Sequence, residues 1–343
     1  MRRLLDLAER GLLPDALIRF GARRLTRERL RQECSSDIER TSQRYAAMLE
    51  ELRQSPLALQ PEAANEQHYE VPAAFFRHVL GPRMKYSACY WPKDVRTLAD
   101  AETAMLELYG ERAKLEDGMR ILDLGCGWGA FTLWAAERFP NSRILAVSNS
   151  HSQKAMIESQ ARTLGFDNIK VRTADVNRLQ LDARFDRVVS IEMFEHVRNY
   201  ASLLERISSW LNADGLLFVH IFCHRHLMYP FEDEGDANWM ARHFFTGGLM
   251  PARDTLLCFQ DHLRLVTRWE LSGNHYRKTA RAWLENLDAE RAGAAAALAR
   301  GESDSDTRAV QRWRMFFMAC EALFGFSNGS EWLIAHYLFA PHE

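Results

Sequence analysis

Cysteine is sparse and badly spaced for structural chemistry. Cys34, Cys89, Cys126, Cys223, Cys258 and Cys320 lie far apart in 343 residues, with no C-x-x-C pair. A disulfide framework is unusual in so long a chain, and metal-ligand spacing is absent, so reduced thiols in a cytoplasmic protein are expected. His224 and His226 stand close together but also lack ligand spacing, and no metal is expected. Long apolar runs are missing too: none approaches the ~20 residues that span a bilayer. Asp6 and Glu9 interrupt what would otherwise be the apolar region of a signal peptide. Charge of one sign is not in excess. A formal net charge of −2 gives no bias towards nucleic acid, and none is expected as a partner. No internal repeat is visible.

What remains is the composition of an ordinary globular protein, 47% apolar and 26% charged. The length fits one large α/β domain with an appendage, or two small domains. Residues 1–31 carry nine arginines against four acids, interleaved with Leu4, Leu5, Leu12, Leu13, Leu17 and Ile18. Two readings stay open. The stretch is either a basic amphipathic helix making weak contact with a membrane surface, or, more commonly, a helix packing its leucines on its own protein.

Residues 1–60 read as helices without strand signal, and 62–110 as helices and loops. From 119 short apolar strands alternate with amphipathic helices, the pattern of a parallel sheet built from βαβ units. Strands are expected at Arg120–Leu124, Arg143–Val147, Ile169–Thr173, Arg187–Ile191 and Gly215–Ile221, with helices at about 129–138, 150–164 and 199–211. Residues 222–250 show little period and are expected to form a lid. A strand at Leu263–Leu271, helices near 277–300 and 306–325, and a last strand at Glu331–Phe339 complete the chain. The expected division is a helical extension over 1–85 and a doubly wound α/β domain over 86–343, with a lid insertion at 222–262.

Between the first strand and its helix runs Ile121-Leu-Asp-Leu-Gly-Cys-Gly-Trp-Gly129. Glycine lets backbone lie against a ligand in dihedrals that a Cβ forbids. A pyrophosphate-binding turn is spaced G-x-G-x-x-G. Here the spacing is G-x-G-x-G, and Asp123 precedes it. A carboxylate repels pyrophosphate and suits a cationic amino-acid tail, which points to S-adenosylmethionine. Asn149, with Gln153 one helical turn later, stands where ribose hydroxyls are held in nucleotide-binding folds; its bland reading is a helix N-cap. Asp175, after the third strand, is placed for the adenine amino group or for an ordinary turn.

Ile191-Glu-Met-Phe-Glu-His196 ends the fourth strand, beside the crevice where doubly wound sheets bind ligands. If it turns helical, Glu192, Glu195 and His196 share one face. Burying three ionisable groups costs several kcal/mol unless they are paired, which favours acid–base work over a solvated helix start.

Leu122-Asp-Leu-Gly-Cys-Gly-Trp-Gly129, Ser150-x-x-Gln153-Lys154 and Met193-Phe-Glu-His196 together resemble the cyclopropane-fatty-acid-synthase superfamily of class I methyltransferases. Val219-His-Ile-Phe-Cys-His224, Phe231-Glu-Asp233, Phe244-Phe-Thr-Gly-Gly-Leu-Met-Pro251, His275-Tyr276 and Gly329-Ser-Glu-Trp332 carry the likeness towards the coclaurine N-methyltransferase group. The likeness runs from about Tyr86 to the C-terminus. It implies that Tyr86 and Ser87 cover the cofactor, and that Asp123, Gly125, Cys126, Gly127, Gly129, Asn149, Gln153, Asp175, Val176 and Ile191 line its site. Glu192, Glu195 and His196 match residues that bind and deprotonate an amine. His220, Phe231, Tyr276 and Trp332 are expected at the substrate.

The implied reaction is direct methyl transfer from S-adenosylmethionine to a small, isoquinoline-like amine, leaving S-adenosylhomocysteine. The lid aromatics Phe231, Trp239, Phe244 and Phe245 read as core or as a cage for the cation, and Glu232, Asp233, Glu234 and Asp236 as attractors of cations or a solvated loop. Lipid-modifying relatives hold a bicarbonate base at positions matching Glu195, His220 and Tyr276, and that chemistry stays open. Against it, the lipid enzymes usually have glycine at the place of Glu192, and cysteine at that of Ala88. A cofactor-binding protein without catalysis is a further alternative.

Overall fold

The computed structural model describes residues 2–34, 37–58, 71–231, 238–299 and 303–342. Its centre is a seven-stranded sheet in the order β3-β2-β1-β4-β5-β9-β8. The strands are β1 (Arg120–Leu124), β2 (Arg143–Ser148), β3 (Ile169–Thr173), β4 (Phe185–Ile191), β5 (Leu211–His224), β8 (Leu263–Leu271) and β9 (Trp332–Pro341). β1 to β5 run parallel, whereas β9 and β8 close the sheet antiparallel. The expected strands at 120–124, 169–173 and 263–271 coincide with β1, β3 and β8.

Alternation along the strands feeds two cores, because successive side chains leave opposite faces of a sheet. Ile121, Val189, Phe218 and Phe222 enter the core that contains α5 (Leu98–Arg112), α6 (Ala130–Arg138), α10 (Asn274–Ala289) and α12 (Ser303–Phe324). Leu122, Leu124, Val188, Leu217 and Val219 enter the other, against α8 (Tyr200–Trp210) and α3 (Ile38–Gln54). Each fully buried Val, Leu or Ile here contributes roughly 1.5–3 kcal/mol through removal from water.

Two expectations change. The segment 222–250 is not aperiodic throughout: β5 runs on to His224 because Phe222 and His224 pair with Ile334 and Trp332 of β9, which satisfies their backbone groups. β6 (Tyr229–Pro230) then pairs with β7 (Leu249–Met250), and the short helix α9 (Trp239–Phe244) lies between them. The acids Glu232, Asp233, Glu234 and Asp236 lie outside the described residues. The helix expected at 277–300 is two, α10 and α11 (Arg291–Leu298), separated at Glu290, where φ −106° and ψ 26° leave the helical region.

The basic N-terminal stretch forms α1 (Arg2–Glu9) and α2 (Asp15–Glu33). Leu5, Leu13, Ile18 and Leu30 pack on the core, while Leu4, Leu12, Leu17 and Phe20 stay exposed. Asp15 pairs with Arg314 at 2.7 Å and Arg19 with Glu321 at 3.1 Å, binding α2 to α12. Between α3 and α5, the short helix α4 (Ala73–Val79) buries Phe75 and Phe76; α7 (His151–Leu164) covers β2 and β3. Among the described residues no helix is long and apolar enough to cross a membrane.

Candidate active site

A cavity opens at the carboxyl ends of β1, β2 and β4. Its floor is the glycine turn. Gly125, Gly127 and Gly129 take φ of 87°, 51° and 85°, left-handed values that L side chains rarely adopt. A Cβ on Gly125 would meet Met193 at 2.7 Å and one on Gly129 would meet Ile157 at 2.6 Å, but one on Gly127 would stand in open space. Gly127 therefore faces the cavity, whereas Gly129 starts α6 behind it. The amides of Gly125 and Cys126 both donate to the Val147 carbonyl, tying the turn to β2.

Asp123, Gly125, Cys126, Gly127, Asn149, Gln153, Asp175, Val176 and Ile191 line the cavity, with Tyr86 and Ser87 arriving from the segment before α5. Asp123 is buried and accepts from the Thr132 hydroxyl at 2.6 Å. Burial pushes its carboxyl up to about 7 against that hydrogen bond. Ser150, not Asn149, caps α7 by accepting from the Gln153 amide, which leaves the Asn149 side chain for the cavity. Asp175 accepts from the backbone and side chain of Asn177, at 2.9 and 3.1 Å, so it also shapes its turn.

The fourth-strand segment does not become a helix. Glu192 takes φ 47°, and a single 3₁₀ turn over Phe194–His196 follows. Glu192, Glu195 and His196 therefore diverge rather than share a face. Glu192 aims inward: one carboxylate oxygen accepts from His220 Nε2 at 3.0 Å and the Ala88 amide at 2.9 Å, the other from the Tyr276 hydroxyl at 2.8 Å. Burial raises its affinity for a proton, opposed by the Lys85 ammonium and those donors. His196 lines the cavity with its ring stacked on Phe245. Burial pushes its imidazole down to about 4, opposed by the charge of Glu192, so it is neutral near pH 7. Glu195 sits behind the wall: one oxygen accepts from the Phe222 amide at 2.8 Å, and the other is buried without a partner among the described residues. Desolvation, then repulsion from Glu192, raises its proton affinity far above the usual carboxylate range.

Tyr276 lines the cavity; His220 lies beneath it, behind Glu192. Phe231 packs on Phe245, which does line the cavity, and Trp332 is wholly buried on β9, donating to the Tyr229 hydroxyl at 3.0 Å. Trp239 and Phe244 are buried as well. Sequence reasoning missed Lys85, whose buried ammonium donates to Ser87 Oγ and the Ala88 carbonyl at 2.6 and 2.7 Å. It missed Trp128 and Trp283 too, which also line the cavity. Their only signal was position, since Lys85 precedes the Tyr-Ser pair and Trp128 lies inside the glycine motif.

The sequence profile of the mycolic acid cyclopropane synthetase family matches residues 58–330. The chain belongs to this family. It is 38% identical to (S)-coclaurine N-methyltransferase of Thalictrum flavum subsp. glaucum, over 98% of this chain and 94% of the relative. It is 36% identical to (S)-coclaurine N-methyltransferase of Papaver somniferum, over 98% and 97%. The crystal structure of coclaurine N-methyltransferase bound to N-methylheliamine and SAH superposes with a TM-score of 0.95 at 37% identity, covering 98% of this chain and 99% of that one. The likeness thus includes the N-terminal helices, which the motifs did not require. This family member is an S-adenosylmethionine-dependent methyltransferase. The cradle fits that donor: among the described residues the Gln153 amide nitrogen and the Trp128 and Trp283 indole nitrogens, buried at residues that line the cavity, have no protein partner, and a Cβ on Gly127 would project into open space.

Proposed function

We propose that this enzyme N-methylates a small, aromatic cyclic amine of the isoquinoline type, in the cytoplasm. The observation that carries the reading is the Glu192 carboxylate held between His220 and Tyr276. Those are donors that the lipid-modifying chemistry would need for a bicarbonate. Here a fixed carboxylate takes them, and in its ionised form it repels a second anion but attracts an ammonium. The relatives named for amine substrates support the same choice.

In this reading S-adenosylmethionine, when bound, would supply an electrophilic methyl group. Gly127, Asn149, Gln153, Asp175 and Val176 would hold its nucleoside portion and Asp123 its cationic tail. Tyr86, Phe245 and Trp283 close the cavity and exclude water, which strengthens charge interactions inside. His196, neutral at working pH, accepts the proton of the incoming ammonium so that nitrogen presents its lone pair, and the Glu192 charge that opposes the effect of burial stabilises the imidazolium formed. Glu192 stabilises the positive charge that returns to nitrogen in the transition state. Glu195, neutral and tied to Phe222, braces the wall behind His196.

Turnover of a secondary cyclic amine in bicarbonate-depleted buffer tests the choice. The rate is expected to match that with added bicarbonate; amine turnover restored only by bicarbonate would overturn it. Membrane contact through residues 1–31 has its own test, because exposed Leu17 and Phe20 lie near exposed Arg23, Arg24 and Arg27. Sedimentation with anionic vesicles should fall for Phe20→Glu, and no binding by the unsubstituted protein would remove the contact.

A further inference from the structure

Behind Glu192 a hydrogen-bonded chain runs along one face of the sheet, from β5 across β9 towards β8. His220 of β5 stands opposite His336 of β9 in the strand register, and His336 in turn stands opposite Trp269 of β8. His336 Nε2 lies 2.9 Å from His220 Nδ1, and His336 Nδ1 lies 2.7 Å from a guanidinium nitrogen of Arg112, in the last turn of α5. Arg112 is half-buried over the face of Trp269. Both histidines are fully buried.

We propose that Arg112 and His336 are positioning residues for the reaction: through His220 they keep the Glu192 carboxylate anionic, although neither touches the cavity. The argument is one of donor polarity and rests on the N-methylation reading above. A guanidinium only donates. His336 Nδ1 must therefore accept, and the single proton of the neutral ring sits on Nε2, facing His220. His220 Nδ1 must accept in turn, with the Tyr109 hydroxyl on the same edge at 2.9 Å. The His220 proton is thereby placed on Nε2, pointing at Glu192. Every bond in the chain donates inward and ends on the carboxylate.

The reverse polarity has the opposite consequence. Were His336 protonated on Nδ1, His220 would present a bare Nε2 to Glu192. Two acceptors then face each other at 3.0 Å, a repulsion relieved only by a proton on the carboxyl. Arg112 forbids that arrangement because it cannot accept a proton from Nδ1. For the same reason the chain cannot conduct a proton outward, so it is a tautomer lock and not an exit route. The other titratable groups facing Glu192 are Lys85, Cys89, Tyr109, Glu195, His196, Tyr276 and Cys320. Burial keeps the thiols and phenols among them neutral.

Two pairs of variants test the lock. In His336→Gln the amide oxygen still accepts from Arg112 and the NH₂ still donates to His220, while His336→Leu breaks the chain. Arg112→Lys keeps an obligate donor that Arg112→Met lacks. The acidic limb of the kcat–pH profile should move upward in His336→Leu and Arg112→Met, with at least tenfold loss at pH 6 and little at pH 9. His336→Gln and Arg112→Lys should follow the unsubstituted enzyme. An independent readout is the ¹³C-carboxyl resonance of Glu192 in glutamate-labelled protein with S-adenosylhomocysteine, assigned by its absence in Glu192→Gln. Its titration should shift upward in the same two variants, and this is measurable even if no amine is methylated. Lowered thermal stability with an unmoved Glu192 titration would reduce the chain to a structural role and overturn the proposal.

Discussion

Asp123 and the three turn glycines can be separated by experiment because each acts through a different physical term. With its carboxyl near 7, Asp123 gains a proton as pH falls below 7 and loses its attraction for a cationic tail. Calorimetry should show the Kd for S-adenosylmethionine rising up to about tenfold per pH unit below that point. Asp123→Asn should bind weakly at every pH; a flat Kd from pH 5.5 to 8 in the unsubstituted enzyme would contradict the assignment. Gly127→Ala adds a methyl to open space, so beyond roughly 1–2 kcal/mol of backbone strain its cost should appear as lost cofactor affinity. Gly129→Ala meets Ile157 at 2.6 Å and should lower Tm more than it changes Kd. The place of these residues at one turn was legible in the sequence because glycine and aspartate at a strand end have few other uses. Lys85 was not legible: a lysine is ordinarily a solvated surface residue, and only the fold buries it beside Glu192.

Elements set the second class of effects. Only if the turn after β4 were helical would the spacing of Glu192, Glu195 and His196 put them on one face. Spacing cannot foresee the left-handed residue at Glu192, which sends its side chain to β5 and α10 and leaves Glu195 against Phe222. The parallel strands were legible because apolar runs bounded by glycines and acids have few alternatives, while the reach of β5 to His224 depends on its antiparallel partner β9, far away in sequence. The cavity wall at Phe245 follows α9, which Glu9 anchors by accepting from Trp239 Nε1 at 2.7 Å and pairing with Arg312 at 2.8 Å. Glu9→Ala is expected to destabilise the protein by about 1–3 kcal/mol through the unpaired donors and to raise KM for the amine with little change in cofactor Kd. An unchanged KM would show that α1 does not hold the wall.

At the scale of the molecule, the N-terminal helices belong to the same packed body as the cavity. Asp15 and Glu321 tie α2 to α12, and α12 supplies Phe316 to the cavity lining. Removal of residues 1–34 is therefore expected to lower Tm by more than about 4 °C, the shift of a loss of about 3 kcal/mol in a protein of this size. A truncated chain with unchanged Tm and amine turnover would mark them as dispensable. The whole account turns on which acceptor receives the methyl group. Incubation with methyl-labelled S-adenosylmethionine and a mixed panel of secondary cyclic amines, arylalkylamines and unsaturated phospholipids decides this directly. The account predicts label in an N-methylated cyclic amine, with turnover reduced roughly 100-fold or more by Glu192→Gln or His196→Ala. Label entering only lipid, or amine turnover unchanged in Glu192→Gly, would contradict it.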